Sequence, residues 1–460
     1  MRISVLIKKF LYSFSCFFLL SVCLVCFSPN IVSAAEVNNP DVDEIYEAFM
    51  NQSKEEFLEN LLNLSENSSD FESMLSAGYA LLKRTDFTHE DYLSLISNPN
   101  NPVSLRHVAI ECYAKKIPDS GVDDVIIDLI SDSSVEPSLR TIAIALLHNN
   151  FDVQNEAHIS ALLLASDSEN DEVAYNAIKA LERIYPECAI TIAQDIYNNF
   201  ENESSARINI ASKVLARHYS SYQFNSINQD ELDRFIEKSL EIYNSIDNDE
   251  IRRVIPQALA LLPSTYTKNY NLEDLNSVSK SGVKGFQGYA AYRDGVAEIE
   301  WHGAIIYGPE TSTSYYIFAQ ASGNGHTTEY VSYLDFLDGN NQMGYYEPSS
   351  VSLTDSQRQK VIKTAKELVD EHIPYCLINI IEYDRVSSSQ RTYTPSDISA
   401  IRCDGFVEYA YEYNNIRVCG GDSDWNISKV GDKYQDAHGG LTVTPKKQAK
   451  KYMDKIGSLV

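Results

Sequence analysis

The chain is 460 residues long, 44% hydrophobic, with a formal net charge of -27. That length exceeds one comfortable hydrophobic core, so two or three domains are expected. The acidity argues against nucleic acid or an anionic lipid surface as a partner held by charge.

In chain order, residues 1–35 read as an export signal. Arg2, Lys8 and Lys9 form a positive start, an apolar run from Phe10 to Phe27 follows, and "IVSAAE" offers small residues for cleavage. The expected location is extracellular or at the cell surface, secreted through this signal. An uncleaved N-terminal anchor is the alternative, because the run approaches membrane-spanning length. Cys23 and Cys26 follow Val22 and Val25, where lipid attachment would want a small residue. Beyond residue 35 no run is apolar for long enough to cross a bilayer. Without the three signal charges the remainder carries -30, and residues 35–279 hold 42 acidic against 17 basic residues.

Residues 36–265 carry helical periodicity throughout, as in "VSLRHVAIECYAKK", "PSLRTIAIALLHNN", "DEVAYNAIKALERIY" and "SSARINIASKVLARHY". Arg106, Arg140, Tyr175 and Arg207 occupy equivalent places, separated by 34, 35 and 32 residues. A period in the low thirties with two helices per unit predicts an all-α, HEAT-like helical-repeat solenoid. An irregular helical bundle is the alternative. Pro102 and Pro137 sit where helix starts accept proline. His107, His148, His158 and His218 are scattered and read as surface or packing residues. The acidic runs "DSENDE" and "DNDE" lack calcium-loop spacing and read as solvated loops. No metal or other cofactor is expected.

Residues 266–284 fall in a Ser-, Asn-, Gly- and Lys-rich stretch without a sustained period and read as a linker. Residues 285–460 then mix patterns, predicting an α+β domain. "AEIEWHGAIIYG" and "SYYIFAQAS" read as strands. "TDSQRQKVIKTAKELVDEH" reads as a helix with Thr354 as N-cap ahead of Gln357. A helix over "CDGFVEYAYEYNN", a short strand "IRVCGG" and a basic closing helix "TPKKQAKKYMDKI" complete the chain.

Five cysteines follow the signal: Cys112, Cys188, Cys376, Cys403 and Cys419. The count is odd, so at least one is outside any internal disulfide. Cys403 falls at the first turn of its helix, where the dipole favours the thiolate, the reactive form. A cysteine hydrolase also needs an imidazole to exchange the proton and a polar side chain to orient that imidazole. His302 lies inside an apolar strand, "IEWHGAIIYG", and the next strand brings Gln320 near its far nitrogen. His326, His372 and His438 are the other histidines of this half. His438 as base, in the opposite chain order, is the alternative. The bland readings are a packed or disulfide-bonded thiol, paired as Cys403–Cys419 or Cys376–Cys419, and a satisfied core histidine. Tyr409 and Tyr413 are expected in the core, and Trp425 is expected to pack.

"CDGFVEYAY" resembles the nucleophile motif of the NlpC-type papain-like cysteine peptidases, and "WHGAIIYG" resembles their histidine strand. His302 precedes Cys403 by 101 residues, so the order is similar to the circularly permuted branch, which includes bacterial hydrolases and the lecithin:retinol acyltransferase group. The resemblance covers about 285–445. It implies Cys403 as nucleophile, His302 as base and Gln320 as orienting residue. Tyr375, in a Pro-Tyr step, would form a substrate wall, with Trp301 and Asp404 as further substrate-side residues. The family often has Asp-Cys-Ser where this chain has Arg402-Cys403-Asp404, and that acid is closer to the acyltransferase branch. The function implied is a secreted hydrolase cleaving an amide bond, in cell-wall peptides, through a thioester. Two alternatives stand beside it. One is a lipid-directed acyltransferase or thioesterase. The other is a non-catalytic surface protein that holds a protein or glycan partner on a concave face of the helical repeats.

Overall fold

Helix propensity and capping divide the first half into short helices. In the computed structural model, residues 42–67, 71–116, 121–220, 229–262, 283, 285–294, 301–309, 316–323, 326–337, 342–384, 393–419 and 441–458 are described. The export signal, nearly all of the linker, Trp425 and His438 lie outside them. The helices are α1 (Val42–Met50), α2 (Lys54–Asn67), α3 (Phe71–Lys83), α4 (His89–Ser97), α5 (Val103–Lys115), α6 (Asp124–Ser131), α7 (Pro137–Leu147), α8 (Glu156–Ser166), α9 (Asp171–Ile184), α10 (Pro186–Asn198), α11 (Ser205–Ser220), α12 (Gln229–Ser245) and α13 (Asp249–Ala260). The two acidic runs serve as helix starts. Asn170 accepts from the backbone N–H of Glu172 and Val173, and Asn248 does the same for Glu250 and Ile251.

Alternate helices pack on one another, α3 on α5, α5 on α7, α7 on α9, α9 on α11 and α11 on α13, making an inner layer. The arginines that marked the period have one structural job. Arg106 Nε donates to Ile96 O at 2.7 Å and Arg140 Nε to Ile130 O at 2.9 Å, each satisfying a carbonyl in the last turn of the preceding helix. Tyr175 interrupts this row, and Arg207 of the next inner helix reaches Ser166 O instead, at 2.5 Å.

The second half is built on a six-stranded antiparallel sheet. Its strands are β1 (Ala290–Arg293), β2 (His302–Pro309), β3 (Tyr316–Ala321), β4 (Thr328–Ser332), β5 (Gln342–Pro348) and, at the C-terminus, Met453–Gly457, which becomes β8 below. Between them lie helices α14 (Tyr333–Leu337), α15 (Asp355–Asp370) and α16 (Cys403–Glu412), and a two-stranded sheet of β6 (Ile381–Tyr383) and β7 (Ile398–Ile401). With β8 the order of the large sheet is β4-β3-β2-β1-β5-β8. The capping box of Thr354 and Gln357 starts α15 as its sequence predicts.

The sequence expectation fails at the C-terminus. "TPKKQAKKYMDKI" forms one short turn from Pro445 and a wider turn over Gln448–Tyr452, then enters the sheet as β8 rather than closing as a helix. Pairing with β5 satisfies its backbone. "IRVC" is likewise not a strand: Glu412 caps it, accepting from Val418 N and Cys419 N, both at 3.2 Å.

Strand alternation sorts the sheet into two faces. Ala290, Tyr292, Ile305, Ala319 and Ala321 pack with α15 and α16, among Val361, Leu368, Cys403, Phe406 and Val407. Ala291, Ala304, Ile306 and Phe318 pack on the other side with Tyr333 and Phe336 of α14.

The inner helical layer grips the sheet half directly, and residues 42–460 form one compact unit. Glu111 of α5 accepts from Leu377 N and Ile378 N at 2.8 and 2.9 Å. Lys213 of α11 donates to Asp370 O at 2.6 Å and pairs with Glu371 at 2.9 Å. Arg253 of α13 pairs with Asp370, Glu250 with His372, and Arg183 of α9 with Asp384. The polar row of this inner layer therefore engages residues 370–384 of the same chain.

Burial alone would raise the Glu371 carboxyl, but Lys213, Lys179 and Arg217 bring it down to about 2. Its folded value lies below its ordinary value of 4.5, so this stability is present above pH 4.5 and lost as pH falls toward 2. Replacing Lys213 by alanine leaves a buried carboxylate short of its nearest cation. We expect a loss of about 3 kcal/mol by denaturant unfolding at pH 7, shrinking as the pH approaches 2.

Candidate active site

Cys403 opens α16, and Arg402 before it is extended and makes no side-chain cap. The Arg402 guanidinium instead turns inward. It grips both Asp404 oxygens at 2.7 and 2.8 Å and donates to Leu377 O and Val443 O, with both residues fully buried. Asp404 is thus neutralised within its own turn, and this corrects its assignment to substrate contact. Gly405 is required by close approach: a Cβ there would lie 2.1 Å from Ile380 O. Without a side chain, α16 can settle onto the bend at Ile380 that leads into β6.

The Cys403 thiol is 1% exposed. Burial pushes it up to about 12, Asp404 adds to the rise, and the N–H of Gly303, Arg402 and the N–H of Asp404 oppose it. The helix-dipole expectation of a thiolate is overturned because burial outweighs the dipole. At pH 7 only about one thiol in 10⁵ would be ionised. None of the five described cysteines is in a disulfide. Cys376 donates to Asn379 O and Cys419 to Glu408, so neither expected bridge is present.

Gly303 is what lets α16 approach β2. A Cβ there would meet the Tyr292 ring at 3.0 Å and Val407 at 3.3 Å. The helix that Cys403 opens packs on β2, and the Gly303 N–H is among the groups that oppose the rise of the thiol. His302 itself pairs across the sheet with Arg293 and shares its side with Ala304, the face opposite α16. Its ring lies 5.9 Å from Phe336, and its Nε2 is 2.8 Å from Gln320 Oε1. Burial, then the Arg293 guanidinium, lowers the imidazole to about 3, against the Gln320 hydrogen bond. The structure thus joins His302 to Gln320 and packs the helix opened by Cys403 on the strand that carries His302. No hydrogen bond joins imidazole to thiol among the described residues.

Tyr375 stands at the same end of the sheet. Its N–H donates to His326 O, it bridges to Ile401, and its ring lies 3.9 Å from the Cβ position of Gly323. Trp301 is 4% exposed, with Lys450 Nζ 5.3 Å over its ring; it packs in the core rather than lining a cleft. Tyr409 and Tyr413 stack at 5.2 Å. Sequence reasoning missed Ser322 and Glu329, which extend the Gln320 contact. The register pairing Gln320 with Glu329 brings them together, and no local motif announces it.

No protein-family model, no curated protein and no solved structure matches this chain.

Burial lowers the imidazole and raises the thiol, and no hydrogen bond joins the two among the described residues, so a neutral resting thiol is expected. Iodoacetamide labelling of Cys403 in native protein, read by peptide mass with Cys403→Ser as control, should be slow at pH 7. It should climb about tenfold per pH unit up to pH 11. A plateau from pH 5 to 8 would mean the pair is charged.

Proposed function

We propose that the chain is a secreted cysteine hydrolase that cleaves an amide bond, with cell-wall peptides as substrate. In this reading residues 36–265 are a HEAT-like array, and the sheet half is a permuted papain-like domain. One observation carries it. The helix that Cys403 opens packs on the strand that carries His302, whose Nε2 lies 2.8 Å from the Gln320 amide oxygen. In this reading the nucleophile and the base with its orienting group approach β2 from opposite faces, with Tyr375 near the same end of the sheet.

The reaction runs from neutral partners. His302 Nδ1 takes the thiol proton as the sulfur attacks the carbonyl carbon, and backbone N–H at the start of α16 holds the oxyanion. The C–N bond then breaks, the amine leaves with the proton from the imidazole, and a thioester remains. Water, deprotonated by the same nitrogen, releases the acid and restores the thiol. The His302 ring has to swing toward α16 for the first step, and the cover over the sulfur has to open. The thioester mechanism needs no metal or cofactor.

A second reading, a non-catalytic surface protein, is favoured by the 1% exposure of the thiol and the imidazole's place on the opposite face. With the inner helical layer engaged in cis, a partner would meet the outer helices. Wild type and Cys403→Ala should be compared on purified peptidoglycan and on simple acyl esters. Peptide release lost in the variant by at least 10³-fold is expected. Ester turnover alone would favour an acyltransferase or thioesterase, and inactivity of both proteins the second reading.

A further inference from the structure

We infer that Glu329 is a positioning residue that fixes the tautomer of His302 by fixing the direction of the Gln320 amide. The inference rests on the hydrolase reading for its catalytic meaning, but its physical content is a count of protons.

Gln320 Nε2 lies 2.7 Å from Ser322 Oγ and 3.4 Å from Glu329 Oε1, and Ser322 Oγ makes a short contact with that same carboxylate oxygen. A carboxylate accepts and does not donate, so the single hydroxyl proton of Ser322 must point at Glu329. The hydroxyl oxygen then has only lone pairs to offer Gln320. Both neighbours of this end of the amide are acceptors, and only the NH2 group can stand there. A flipped amide would set its carbonyl oxygen against the Glu329 oxygen and the Ser322 lone pairs, with no proton between them.

The amide carbonyl is thereby left facing His302 Nε2 at 2.8 Å. An acceptor at that distance requires Nε2 to carry the proton, so Nδ1 keeps its lone pair. A bare Nδ1 is what a base for the Cys403 thiol needs. The chain Glu329–Ser322–Gln320–His302 thus transmits one negative charge, from strand β4 across β3 to β2, as a tautomer choice. Register makes it: Gln320 pairs with Glu329 across β3 and β4, and both share the His302 face of the sheet. Burial, helped by Arg293, which pairs with His302 from β1, disfavours the charged ring, so tautomer rather than charge is the variable that remains.

Glu329→Gln tests this at nearly constant shape, because its amide can donate to Ser322 and so lets the Gln320 amide turn over. With full-length protein labelled with ¹⁵N-histidine and His302 assigned through His302→Gln, wild type should show the proton on Nε2. Glu329→Gln should show a new Nδ1-protonated population. Ser322→Ala, which leaves the carboxylate near the amide, should stay close to wild type. On peptidoglycan, Glu329→Gln should lower kcat about tenfold with KM unchanged. A wild-type proton on Nδ1, or a tautomer ratio unmoved in Glu329→Gln, would overturn the inference. A tautomer shift in Glu329→Gln, when the wild-type protein hydrolyses nothing, upholds it and counts against the hydrolase reading instead.

Discussion

The pleat of β2 governs the site. Successive residues of a strand point to opposite faces, so His302 goes to the side of Phe336 while Gly303 turns toward α16. Since Gly303 has no side chain, α16 can pack closely on β2, with Val407 beside the place a Cβ would take. One more carbon at position 303 would press on Tyr292 and Val407. The same pleat that turns Gly303 toward α16 holds the imidazole away from that helix.

Electrostatics at the site follow from burial. Arg402 and Asp404 flank the thiol, yet they satisfy each other and leave little net field. Desolvation then dominates the sulfur and, on the opposite face, the imidazole. The strong charges lie instead at the join between the two halves. Asp370, Glu371, His372 and Asp384 meet Arg253, Lys213, Glu250 and Arg183 there. These pairs hold the segment that runs through Tyr375 toward Arg402, so the helical half supports the site without contributing a side chain to it.

Much of this was legible from residue order. The helical period, the Thr354 cap, strands around His302 and Gln320, and a helix starting at Cys403 all follow from local pattern. The Arg106 and Arg140 spacing was visible too, though its cause, a carbonyl ten residues back, was not. What escaped depends on partners distant in the chain. The basic tail became β8 because an edge of the sheet was open to it. Asp404 turned inward because Arg402 could reach both its oxygens. The thiol lost its expected acidity because packing, which no local pattern encodes, sealed it. Glu329 joined Gln320 through strand register alone.

The most direct measurement is of the bond the account requires. Wild-type protein mixed with soluble cell-wall peptide and quenched in acid within one turnover should carry an acyl group on the peptide containing Cys403. Mass spectrometry would find it there, and hydroxylamine would remove it. An unmodified Cys403 at every time point, alongside intact substrate, would contradict the account.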